Sequence, residues 1–279
     1  MPPKIEMDLK RDIARQLVSL IRSWGYECAD DEPLLEIGCR FQMLQARVPP
    51  PQPRELIFAT GFICPPDQQR GLWEFRVRSR SGAPLKPFLS RTSQKADFRD
   101  GMLIDWGILH FHLSDELQAD GFVRRSDDVL FAMVRENAIY CIGFWPHKSW
   151  SKQDVIGIVH DNWPRLIEQY RVKGLVGLSR PITDQDVEKL RKANINTIVE
   201  PRPAAFYLGP GGGMASSGHS IVAVTKTSYL LDVIEHLEDE ARKSLETIGR
   251  ESCQLLAHLE SDRVSVKDES GNVIVWHRI

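Results

Sequence analysis

Apolar and imidazole side chains alternate along Gly107-Ile108-Leu109-His110-Phe111-His112-Leu113. In extended backbone every second residue shares a face, so Leu109, Phe111 and Leu113 turn to a core while His110 and His112 stand side by side on the other surface. Residues 129–147 are apolar almost throughout, too apolar for an exposed strand, and Glu136-Asn137 interrupts them where a turn would fall. The pattern predicts a buried antiparallel hairpin of strands 130–135 and 138–145. With the histidine strand it makes a sheet around which the chain is built.

Before that sheet, Ile5, Leu9, Ile13, Leu17, Leu20, Ile21 and Trp24 recur at helical spacing up to Gly25, which predicts an amphipathic helix over 5–24. Asp30 or Asp31 is placed to cap a second helix through Leu34, Ile37, Phe41, Leu44 and Val48. Pro49-Pro50-Pro51-Gln52-Pro53 ends it, since proline lacks the amide donor and restricts the residue before it. That tract reads as a connector. Residues 56–63 read as a strand, while 71–78 fit a strand and a helix equally. Ser151-Lys152-Gln153-Asp154 has capping-box spacing and opens a helix through Val155, Ile156 and Val159. From residue 174 the chain alternates: a strand at 174–178, a helix capped by Thr183-Asp184-Gln185-Asp186 and running to about 193, strands at 195–199 and 220–224, a long helix over 228–248, and three final strands at 253–258, 263–267 and 272–277. The expected fold is therefore α+β: an antiparallel sheet with N-terminal helices over 1–173, and a smaller C-terminal α/β subdomain over 174–279.

Composition narrows the class. With 42% hydrophobic residues in a 279-residue chain there is ample material for a core. No window approaches the roughly 18 continuous apolar residues of a membrane span, and the N-terminus lacks the apolar stretch of a secretory signal. The expectation is a cytoplasmic protein with no membrane partner. Five widely spaced cysteines without a CxxC suggest buried thiols rather than a disulfide framework or zinc knuckle. The net charge is −2, yet between Arg70 and Arg99 eight basic residues face only Glu74 and Asp97. Arg76, Arg78, Arg80, Lys86 and Arg91 are the candidates there for nucleic-acid phosphates; the competing reading is a solvated face.

Few residues carry recognisable chemistry. His110 and His112 could share an ion, but a catalytic metal needs about three protein ligands, and Asp105, Asp115 and His147 could join them only through the tertiary fold. No metal or other cofactor is expected. Imidazoles titrate near neutral pH and guanidinium binds phosphate in a fork, so histidines with arginines form a plausible acid/base and phosphate site. Gly209-Pro210-Gly211-Gly212-Gly213 fits neither a P-loop nor a dinucleotide fingerprint. Its amides could cradle an anion with Ser216, Ser217 and His219, or the loop could be empty. His160-Asp161-Asn162-Trp163 reads as a polar helix end. No Gly-x-Ser-x-Gly or His-Glu-x-x-His occurs, which argues against serine hydrolases and zincins.

The order of parts from Val129 to Ser151 resembles the central hairpin and C-terminal end of the RelE/HigB-type bacterial toxins: an apolar strand, a turn at Glu136-Asn137, a second strand rich in aromatics, then Pro146-His147-Lys148 and a helix start. The resemblance implies a ribosome-associated, metal-independent endoribonuclease working through basic residues and a His or Tyr. Carried onto this chain, Arg124 or Arg125 matches the arginine leading into the hairpin, and His147 with Lys148 the basic group after it, with His110 and His112 on the neighbouring strand. RNA, the ribosome and an antitoxin are the partners it implies. The chain as a whole is also similar to a group of bacterial proteins with a DWG…HxHL stretch and a later NWP, here 105–113 and Asn162–Pro164; that similarity implies no activity. The alternative to a nuclease is a non-catalytic module that binds protein or nucleic acid in a defence or toxin–antitoxin system.

Overall fold

The computed structural model describes residues 4–248 and 252–279. Along the chain it forms β1 (Lys4–Glu6), α1 (Leu9–Ser23), α2 (Leu34–Arg47), β2 (Glu55–Phe58), α3 (Gln69–Ser81), α4 (Gly101–Trp106), β3 (Leu109–Phe111), β4 (Asp128–Val134), β5 (Ala138–Pro146), α5 (Asp154–Asn162), α6 (Asp184–Lys192), β6 (Val199–Arg202), β7 (Ala205–Tyr207), α7 (Ile221–Ile248), β8 (Ser252–Leu259), β9 (Arg263–Asp268) and β10 (Val273–Arg278). The fold is α+β.

Two compact units emerge, and they do not divide at residue 174. One comprises residues 4–43 with 223–279; the other is Leu44–Val222. The predicted boundary fails because a non-local pairing closes the first unit: β1 runs parallel to β8 in a sheet ordered β1-β8-β9-β10. With only three residues, β1 leaves much of the β8 edge unpaired. There α1 supplies side chains: the Ala257 amide donates to Asp12 Oδ2 (3.0 Å), the Leu259 amide to Gln16 Oε1 (2.9 Å), and Gln16 Nε2 to the Ala257 carbonyl (2.8 Å). These bonds satisfy backbone groups that would otherwise form an open template. On its other face α1 buries Leu9, Ile13, Leu17 and Ile21. It starts at Leu9, later than predicted, with Asp8 as N-cap and Ile5 in β1.

The second unit holds the sheet that the alternation predicts, in the order β2-β5-β4-β3. The hairpin β4–β5 turns at Glu136-Asn137 and is antiparallel, as is β3 against β4. The further strand, β2, joins β5 in parallel, so the sheet is mixed. Both faces are covered. Leu109, Phe111, Leu113, Leu130 and Ala132 pack with Phe75 of α3 on one side, and Val129, Phe131, Met133 and Ile142 pack with Val155, Ile156 and Val159 of α5 on the other.

Residues 71–78, ambiguous by pattern, are helical. Phe75 and Ser79 are buried at i and i+4, while Val77 between them, which a strand would turn to the same face, is 43% exposed. The 183–186 segment caps α6 as predicted, and Thr183 and Asp186 bond reciprocally in doing so. At α5 the predicted box is absent: Gln153 is the N-cap and its side chain caps no helix amide, donating to the Ile182 carbonyl (2.7 Å). Instead, Asp184 accepts from the Gln153 amide (3.0 Å) and pairs with Lys152 (3.1 Å). Residues 174–178 form no strand. Residues 221–224 open α7 rather than forming a strand, and Ser220 only bridges to Met214, since a short apolar run fits either state until its neighbours decide.

Candidate functional site

His110, His112 and His147 converge at the end of the sheet where β4 begins and β5 finishes. The alternation in β3 sends His110 and His112 to one side, in register with Phe131, which pairs with His110 across the strands. Phe131 anchors an aromatic series: Trp145 stacks on it at 5.0 Å and Trp150 at 5.5 Å. Trp145 can fold down because Gly143 lies beneath it; a Cβ there would meet the indole at 3.0 Å. Trp150 then contacts His110 (4.6 Å between centroids) and His147 (5.7 Å). His147 stacks on His112 at 5.0 Å, and His112 stands edge-on to His110 at 6.3 Å.

The three rings occupy different environments. His112 is buried, and its Nδ1 accepts from the Ser126 amide (3.2 Å). The Ser126 hydroxyl, 3.3 Å from the same nitrogen, donates to the Asp128 carbonyl at 2.6 Å. With both neighbours arranged this way, neutral His112 carries its proton on Nε2. Burial, then the neighbouring His110, His147 and Arg125, push its pKa down to about 3. His110 is lowered too, chiefly by burial, which outweighs the opposing pull of Asp100. Its Nδ1 lies 3.8 Å from Asp100 Oδ2, beyond hydrogen-bonding distance. The other oxygen of Asp100 caps α4 through the Met102 and Leu103 amides.

His147 is half-buried, and burial followed by the Arg125 charge lowers its pKa. Arg125 is exposed; its guanidinium reaches Nε2 and Nδ1 of His147 at 3.4 and 3.3 Å. The arrangement therefore offers one reachable neutral imidazole beside one solvent-facing guanidinium, with buried His112 and largely buried His110 beneath them.

The remaining candidates divide. Arg124 pairs with Glu116 (3.3 Å) instead of joining the histidines. Lys148 is exposed at the turn after β5, with a left-handed φ of 76°. Arg76, Arg78 and Arg80 lie on α3, with Arg76 and Arg80 exposed and Arg78 half-buried. Lys86 sits in a short turn at Lys86–Phe88. Arg91 is engaged by Asp120 (2.6 Å) and lies over Phe122, so it is held within its own surface. Sequence reading missed Ser126 and Trp150 as site residues. Ser126 was identifiable only as the residue after Arg125, and Trp150 only as the aromatic three positions past His147.

The glycine loop is no anion cradle. The Gly211 amide donates to the Asp105 carbonyl (2.9 Å) and the Gly213 amide to the Ile104 carbonyl (3.0 Å), so they satisfy the C-terminal carbonyls of α4. A Cβ on Gly211 would come within 2.5 Å of the Ile104 and Leu103 oxygens. Nearby, Asp105 takes a two-pronged bond from Arg191 (2.7 and 3.1 Å), whose guanidinium also covers Trp106. Asn162, at the end of α5, accepts from the Thr60 amide (2.7 Å).

Among the described residues no group of three His, Cys, Asp or Glu side chains is arranged to hold a metal ion, and no helix is long and apolar enough to cross a membrane. Comparison with known protein families, with curated proteins and with solved structures finds no match.

Proposed function

We propose that this protein is a RelE-like, metal-independent endoribonuclease with His147 as general base and Arg125 as phosphate ligand. One observation carries the reading: exposed Arg125 lies within bonding distance of both nitrogens of half-buried His147, on an end of the sheet that also exposes Arg124 and Lys148. A phosphodiester entering there draws the guanidinium fork to its oxygens, which frees a ring nitrogen. That nitrogen takes the proton of the adjacent 2′-hydroxyl. The 2′-oxygen attacks phosphorus, Arg125 stabilises the charge on the non-bridging oxygens, and the P–O5′ bond breaks as Lys148 gives the leaving oxygen a proton. The products are a 2′,3′-cyclic phosphate and a 5′-hydroxyl.

His110 and His112 are positioning residues in this scheme. Both are neutral and enclosed, and the stack from Phe131 through Trp150 and His112 holds His147 in place. RNA, free or on the ribosome, is the substrate, in keeping with a cytoplasmic protein. An antitoxin would act by covering the same end of the sheet.

The test is the chemistry of the ends. RNA incubated with the protein in EDTA, with and without ribosomes, should yield cyclic-phosphate termini, and an all-2′-deoxy strand should stay intact. Cleavage of both would refute the 2′-hydroxyl mechanism. A protein that binds RNA but leaves it whole is instead the non-catalytic binding module.

A further inference from the structure

α3 carries a solvent face that its packing does not explain. Phe75 and Ser79 point inward, while Trp73 and Val77 are 60% and 43% exposed. Arg76 and Arg80 are exposed beside them. Trp73, Arg76, Val77 and Arg80 fall at i, i+3, i+4 and i+7, which makes one continuous stripe. An exposed indole set among guanidinium groups matches what a single nucleic-acid strand requires: a flat platform for a base and cations for the phosphates on either side. Duplex offers no free base face to such a platform. The one acidic residue of α3 is half-buried Glu74, and Arg80 lies 3.8 Å from Glu55 of β2.

The helix also begins beside the histidine site. Gln68, immediately before α3, donates to the Asp128 carbonyl (3.0 Å). The same carbonyl accepts from Ser126, whose amide bonds to His112. Gly71 lies against the backbone of Leu113 and Ser114, where a Cβ would come within 2.4 Å. The first turn of α3 is thus fixed to the segment that leaves the His-x-His strand. The thirteen-residue helix extends about 20 Å from there, towards Arg54 at the start of β2, whose carbonyl accepts from Ser79.

We infer that the exposed face of α3 is a docking surface for single-stranded RNA, with Trp73 stacking on a base and Arg76 and Arg80 holding phosphates. The inference rests on the proposed ribonuclease reading for its choice of RNA, but it concerns binding rather than cleavage. The experiment is fluorescence anisotropy of a labelled 12-nucleotide single-stranded RNA and its duplex. Trp73→Ala should weaken single-strand binding by about 5- to 150-fold, the change that corresponds to ~1–3 kcal/mol per stacked base, and Trp73→Phe should retain most of it. Arg76→Glu with Arg80→Glu should weaken binding and flatten the salt dependence by about 0.7 per lost contact. Exposure of all three side chains keeps the fold out of the result, which circular dichroism verifies. A probe carrying 2′-O-methyl groups cannot be cut by a 2′-hydroxyl mechanism, so loss of docking is read apart from any loss of cleavage. Equal affinity for duplex, a Trp73→Ala effect under twofold, or binding to phosphatidylglycerol vesicles but not RNA would each overturn the inference.

Discussion

The imidazole of His147 lies on that of His112 with centroids 5.0 Å apart and planes inclined by 27°. The contact joins the turn after β5 to the end of β3. It makes one ring the floor of the site and the other its reachable surface. Because His112 has its Nδ1 occupied by the Ser126 amide, the floor is a neutral ring with little to gain from a proton. A second charge under His147 would oppose Arg125 as well.

The first prediction concerns acid stability. An unfolded histidine titrates near 6.5, whereas folded His112 is held down to about 3. Below pH 6.5 the unfolded chain therefore binds more protons, and stability falls as pH drops, at up to roughly 1.4 kcal/mol per pH unit from this ring. It is fully present above that range. Between pH 7 and pH 5 the loss should be about 2 kcal/mol, read as a falling urea midpoint. His112→Asn, whose amide oxygen can take the place of Nδ1, should flatten the slope. An unchanged slope would mean that His112 is not the group being titrated.

The glycine loop supplies a second prediction. Gly211→Ala drives a methyl into the Leu103 and Ile104 carbonyls and the Gly107 amide; these are backbone atoms that cannot swing aside. A cost of about 1–3 kcal/mol is expected from such overpacking. Phosphate should give no protection from it, because the loop amides are already bonded to α4. Stabilisation by phosphate that disappears in the variant would contradict the capping role.

Asp105→Ala removes the carboxylate that balances Arg191, 2.7 Å away with both side chains largely enclosed, and leaves the guanidinium only the neutral Trp150 carbonyl and the Trp106 face. An uncompensated buried guanidinium typically costs about 3–5 kcal/mol. The variant should unfold at clearly lower urea. A midpoint within experimental error of wild type would show that Arg191 finds water instead.

Much of the central sheet was legible because its cues are local. Alternation in 107–113 assigns each side chain to a face, and Glu136-Asn137 marks the hairpin turn within a run that has no other polar break. Thr183 with Asp186 is equally local. What stayed hidden depends on distant partners. No periodicity announces that β1 pairs with β8, so the C-terminal strands were assigned to the wrong unit. The SIVAV run at 220–224 has strand-like composition, yet it continues into the long helix. The site was half legible: His110 and His112 could be placed on one face, but their burial could not, because it comes from Trp150 and His147 beyond the hairpin. In the proposed mechanism that burial makes them supports and not acid/base groups.

In the proposed mechanism Arg125 sets the pH dependence of cleavage. After burial, its charge does most to lower the His147 pKa. A base must be unprotonated to act, so activity should rise with pH along an acidic limb lying below 6.5 and then level off. Arg125→Gln removes the opposing charge, which moves that limb to higher pH while lowering the plateau. Arg125→Lys keeps the charge and leaves the limb nearer its original place. An identical limb in wild type and Arg125→Gln would separate the two residues functionally.

The most direct measurement is the single-turnover cleavage rate of a defined RNA in EDTA, compared between wild type and His147→Ala at neutral pH. Removing a general base should lower the rate by about 10²–10⁴-fold, with RNA affinity unchanged. Equal rates in the two proteins, or no cleavage by wild type even on ribosomes, would contradict the assignment of His147 as the base of a ribonuclease.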